Sequence, residues 1–117
     1  MVELTLGGKT YEMRFSLKSM RTLEAHYKKP IGKIFKDKDS LESLETLIAF
    51  YYACMKSSNK SLTMEKVEDL LDIALDKEEI TLEELSEKLS EVIDSSSIMK
   101  NSAAKSDEEQ SEQEAKN

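Results

Sequence analysis

LESLETLIAFYYACM, residues 41–55, is the densest apolar run in the chain. Leu41, Leu44, Leu47, Ile48, Tyr51, Tyr52 and Met55 recur at steps of three and four, the spacing that aligns side chains along one face of an α-helix. Ala49, Phe50, Ala53 and Cys54 carry apolar surface around the other side, so from Leu47 onward almost no face is left for water. Burying about seven large side chains at roughly 1.5–3 kcal/mol each offers a gross gain of about 10–20 kcal/mol, before the cost of ordering the backbone. The flanking segments are therefore expected to wrap this helix. A membrane span is not expected, because the run falls short of roughly 18 residues and begins among Glu42 and Glu45.

Working outward toward the N-terminus, residues 36–40, KDKDS, read as a polar loop in which Asp39 or Ser40 can cap the central helix. Before it, Pro30 to Phe35 places Ile31, Ile34 and Phe35 close together around Gly32, as an irregular turn or brief helical piece against the core. Pro30 ends a helix that Ser16 caps and whose stripe is Leu17, Met20, Leu23 and Tyr27. Val2 to Leu6 and Thr10 to Phe15 alternate apolar and polar, as half-buried strands do. Gly7, Gly8 and Lys9 between them supply a tight turn, because glycine reaches positive φ without steric penalty. A hairpin alone is marginal, so its apolar face should pack on a helix.

In the other direction, residues 57–60, SSNK, form a loop, and Thr63 starts a helix with the stripe Met64, Val67, Leu70, Leu71 and Ala74, widened by Ile73 and Leu75. After a break at Asp76 to Ile80, Thr81 and Glu84 make a capping box at the head of Leu82, Leu85, Leu89, Val92 and Ile93. Beyond Asp94 the chain is rich in Ser, Glu, Gln and Lys and has too little apolar surface to offset its ordering, so it reads as disordered. The expected architecture is mainly α with a small N-terminal β-hairpin, an α+β arrangement of hairpin on about four helices. One domain covers 1–93, with an acidic tail over 94–117.

Within 117 residues, Lys and Arg number 17 against 24 Asp and Glu, a net charge of −7. That balance argues against binding nucleic acid by neutralising phosphates and points to solubility. Cys54, the single cysteine, lies in the apolar helix and reads as a small buried hydrophobe. The N-terminus lacks the basic segment and apolar run of a signal peptide, so a cytoplasmic protein is expected. Catalytic chemistry finds little support. His26, the single histidine, has no Cys, Asp or Glu three or four residues away, and Glu83, Glu84, Glu87 and Glu91 form a wet helix face. Asp37 and Asp39 lack the glycine and terminal glutamate of a calcium loop. No cofactor, metal or catalytic residue is expected. Six methionines fill core gaps in the plain reading, yet flexible thioethers also suit a groove that accepts varied helices. The side chains singled out for partner binding are Met20, Tyr27, Phe35, Tyr51, Tyr52, Met55 and Met64.

The unit LTLGGKTYEMRFSLKSMRTLE, residues 4–24, is strand, Gly-Gly turn, strand ending in Phe, then Ser and a helix. It resembles the N-terminus of tail assembly chaperones from long-tailed phages (siphophages) and prophages, and the resemblance extends over about residues 2–93. It implies a non-enzymatic protein of the host cytoplasm that is needed for tail building and absent from the virion. Such a protein binds the tape measure protein, keeps it soluble and helps tail tube subunits polymerise around it. The resemblance also implies that a ribosomal frameshift can make a longer form that contacts the tube protein, this chain being the short form. Self-association stays open, as do two alternatives: a structural head–tail or tail component, and an acidic DNA mimic with a regulatory role.

Overall fold

The central apolar run is a helix against which the other elements gather. The computed structural model describes residues 2–36 and 43–96. Strands β1 (Val2–Leu6) and β2 (Lys9–Met13) precede five helices: α1 (Leu17–Tyr27), α2 (Ile31–Lys36), α3 (Leu44–Lys56), α4 (Met64–Asp76) and α5 (Leu82–Asp94). The architecture is thus mainly helical with an N-terminal hairpin, as the periodicities imply. Helix α3 meets α1, α4, α5 and β2, which makes it the axis of the domain.

The hairpin is antiparallel, with Val2 opposite Met13, Leu4 opposite Tyr11 and Leu6 opposite Lys9. Gly7 and Gly8 both have positive φ, 59° and 79°, so they alone form the two-residue turn and Lys9 already belongs to the strand. Two positive φ values match the twist of paired strands and disfavour any residue with a Cβ. Val2, Leu4, Leu6, Tyr11 and Met13 point to one face and are buried. The expected second strand is shorter than its sequence pattern: pairing stops at Met13, after which the Arg14 N–H donates to the Cys54 carbonyl (3.2 Å) and turns the chain onto α3. Phe15 then joins Phe35 and Phe50, with ring centroids 5.8–6.3 Å apart in edge and stacked arrangements, locking the hairpin exit, α2 and α3 together.

Helix starts follow local chemistry. The Ser16 hydroxyl accepts from the Ser19 N–H (3.3 Å) while Ser19 Oγ accepts from the Ser16 N–H (3.1 Å), a reciprocal capping box. Thr63 caps α4, and Thr81 with Glu84 boxes the start of α5. The segment after Pro30, expected as irregular, is the short helix α2. Pro30 supplies a φ suited to a first turn, and the Glu24 carboxylate accepts the Ile31 N–H (2.8 Å).

Three expectations need correcting. The cap of the central helix is Ser43, whose hydroxyl accepts the Thr46 N–H (3.1 Å), so the helix starts later than Asp39 or Ser40 would set it. Leu17 is 64% exposed and Ser19 takes its place in the core. Ser19 is drawn inward because its hydroxyl donates to the Arg14 carbonyl (2.7 Å), which rotates the buried face of α1 away from Leu17. Leu44 and Leu82, at the first positions of their helices, are likewise exposed, as is Ile73 on the outer edge of the α4 stripe. Leu62 in the α3–α4 connection is buried without having been expected there. Residues 37–42 and the tail beyond 96, including the expected disorder, lie outside the described residues.

Candidate partner-binding site

Two grooves of opposite chemistry flank the buried core. The first, about 430 Å³, runs between α3, α4 and the start of α5. Leu47, Leu71 and Leu85 form its buried floor, Ile48 and Leu75 its half-buried walls, and Leu44 (61% exposed) and Leu82 (48% exposed) its lips. Both lip residues occupy the first position of their helices, immediately after caps Ser43 and Thr81. A first-turn side chain lies at the end of the helix, so it finishes the stripe without having a neighbour to cover it. Glu68, Asp69 and Asp72 stand exposed along the α4 edge. An apolar trough with a carboxylate rim can take the apolar stripe of an amphipathic helix whose flank is basic.

The trough is held open from beneath by a buried contact. Tyr51, fully buried, donates its hydroxyl to the Leu85 carbonyl on α5 (2.6 Å). Burial holds that hydroxyl above the ordinary tyrosine range, with the neighbouring Cys54 adding to the effect. Burial alone pushes the Cys54 thiol up to about 12, so it stays protonated and unreactive at neutral pH.

The second groove, about 860 Å³, lies between α1, the end of α3 and the start of α4. Lys18, Arg21 and His26 face it from α1, Lys56 from α3 and Lys60 from the connection, with Tyr52 and Met64 as its apolar patches. The Lys56 ammonium donates to the Tyr52 hydroxyl (2.7 Å) and lies 5.1 Å from that ring's centroid. Among the described residues the one basic side chain within 4 Å of a carboxylate is His26, 3.8 Å from Glu45, so Lys18, Arg21, Lys56 and Lys60 face this groove without a paired carboxylate.

The charge is accordingly polarised. Residues 2–36 hold eight Lys and Arg against three Glu, whereas residues 64–94 hold three Lys against twelve Asp and Glu. The net charge of −7 is thus unevenly spread, with a basic α1 side and an acidic α4–α5 side.

A family model described as phage tail assembly chaperone protein, TAC, matches residues 3–107. The chain belongs to that family. No curated protein and no solved structure matches it. Of the residues singled out in the chaperone's sequence, Tyr52 and Met64 line the basic groove. Met20, Tyr27 and Phe35 are half-buried against the core, and Tyr51 and Met55 lie inside it. The seven are therefore not one cluster. The chaperone's apolar trough was missed because Leu44 and Leu82 sit on helical stripes, which the pattern assigns to the core. Its basic groove was missed because the cations come from three elements spread over residues 18–60. No group of three or more His, Cys, Asp or Glu among the described residues is placed to hold a metal, and no described helix is long and apolar enough to cross a membrane.

Proposed function

We propose that this chaperone binds the tape measure protein of its phage in the host cytoplasm, keeps that long helical chain soluble, and helps tail tube subunits assemble around it without entering the virion. The observation that carries the reading is the trough with exposed Leu44 and Leu82 above a leucine floor and a carboxylate edge. It offers an unassembled helix an apolar face to bury and a counter-charge for its basic flank. Tyr52 and Met64 offer a smaller apolar contact in the basic groove, and Met20, Tyr27 and Phe35 keep part of their surface accessible elsewhere. Tyr51 and Met55 serve the client indirectly, by holding α3 in place. A longer frameshifted product would bring tube subunits to the same complex. Family membership favours this role over the structural and DNA-mimic alternatives.

Co-expression with the tape measure protein of the same genome tests it. A soluble complex is expected, and L44E with L82E should lower client recovery about tenfold while leaving the thermal midpoint unchanged, since both side chains are exposed. A tape measure protein equally soluble alone, or this chain in stoichiometric amounts in purified tails, would overturn the reading.

A further inference from the structure

The basic groove has a complementary occupant within the same chain. Residues 107–114, DEEQSEQE, contain five carboxylates in eight positions and no base. The family match ends where this run begins, at residue 107. We propose that this C-terminal acidic run docks in the groove formed by Lys18, Arg21, Lys56 and Lys60, so that the chaperone masks its own basic surface.

Three observations lead there. First, those four cations surround one concavity, and among the described residues none has a carboxylate at ion-pair distance. Converging unpaired cations create a positive potential that a run of carboxylates relieves. Second, residues 64–94, from which the run extends, carry twelve carboxylates against three lysines, so the run is repelled from its point of departure and drawn toward the α1 side. Third, the tether is long enough. The ten residues 97–106 span up to about 33 Å when extended, comparable with the roughly 32 Å diameter of a sphere that has the radius of gyration of a domain this size, so the run reaches about a third of the way round the surface. A tether of that length holds the run at an effective concentration on the order of millimolar, so individually weak exposed pairs are enough to populate the docked state. Tyr52 and Met64 give the docked chain an apolar strip to lie on. An acidic segment of any other protein would then have to displace the tail before entering this groove.

Zero-length carbodiimide cross-linking of the full chain at 20 mM salt tests the proposal, using an equal mixture of ¹⁴N- and ¹⁵N-labelled protein. The expected result is same-label links from Lys18, Lys56 or Lys60 to Asp107, Glu108, Glu109, Glu112 or Glu114. Their yield should fall by about an order of magnitude in 1 M NaCl, where the Debye length is about 3 Å. In parallel, the full-length variant D107N/E108Q/E109Q/E112Q/E114Q should shift the amide resonances of residues 18–26 and 56–60 and leave those of α5 in place. Links distributed over Lys66, Lys77 and Lys88 as readily as over the groove, or no shift in α1, would overturn the proposal. Mixed-label links as abundant as same-label ones would also overturn it, by assigning the groove to the tail of a second copy.

Discussion

Tyr27 and Tyr51 are both largely enclosed, yet their hydroxyls have opposite fates. The Tyr51 hydroxyl bridges α3 to the Leu85 carbonyl, whereas the Tyr27 hydroxyl is buried with no hydrogen-bond partner. A buried hydrogen bond contributes about 1 kcal/mol net, while an unpaired buried hydroxyl only costs desolvation. Urea titration should therefore show Tyr51→Phe destabilising by about 1–2 kcal/mol, and Tyr27→Phe neutral or stabilising by up to about 1 kcal/mol. Equal losses in the two variants would mean that Tyr27 has a partner after all. Cys54 makes a second prediction at this scale. Its thiol is raised from 9.0 to about 12 by burial, so above pH 9 the unfolded chain releases a proton that the folded chain keeps. The folded state then binds more protons, and stability falls by up to about 1.4 kcal/mol per pH unit between pH 9 and 12, having been flat in this group below pH 8. Cys54→Ala should remove the slope that begins at pH 9 and leave the later one due to Tyr51, whose ordinary value is 10.0.

Among the elements, α3 carries the core, but its residues are not equivalent. Phe50 has no exposed surface and joins the ring cluster with Phe15 and Phe35, whereas Leu47 borders the trough. Phe50→Ala should cost about 3–5 kcal/mol, enough to unfold much of a marginal domain, and Leu47→Ala less, nearer the 2 kcal/mol end of its class. If Leu47→Ala proves the costlier change, the floor of the trough rather than the ring cluster is the centre of the core. The helix starts are a separate source of stability. Thr81→Ala removes the hydroxyl that accepts the Glu84 N–H and should lower stability by about 1 kcal/mol in thermal unfolding, with client binding retained.

For the whole molecule, the acidic α4–α5 side and the basic α1 side predict two kinds of salt response. Client helices held in the Leu44–Leu82 trough bury apolar area, which salt does not screen, so the complex should survive 1 M NaCl. Any contact through the Lys18–Lys60 groove should be lost over the same range. A client complex that dissociates by 0.5 M salt in size-exclusion chromatography would move the client from the trough to the basic side. His26→Ala should have little effect on client recovery, because its Glu45 contact is long and exposed.

The amino-acid sequence by itself determined the hairpin, the helices and most of their starts. Gly7-Gly8, Ser16, Thr63, Thr81 and the three- and four-residue apolar steps act between residues no more than a few positions apart, where the physics is local. It also placed Cys54 in the core, since a helix apolar on nearly every side must be covered. Which apolar residues stay uncovered was decided only by the tertiary structure. Leu17, Leu44 and Leu82 satisfy the helical pattern as well as Leu23 or Leu85, yet burial depends on whether another element reaches that end of the helix. The basic groove is of the same kind. Lys18, Arg21, Lys56 and Lys60 look like ordinary solvated charges along the chain, and they become one surface only because α1 packs against α3.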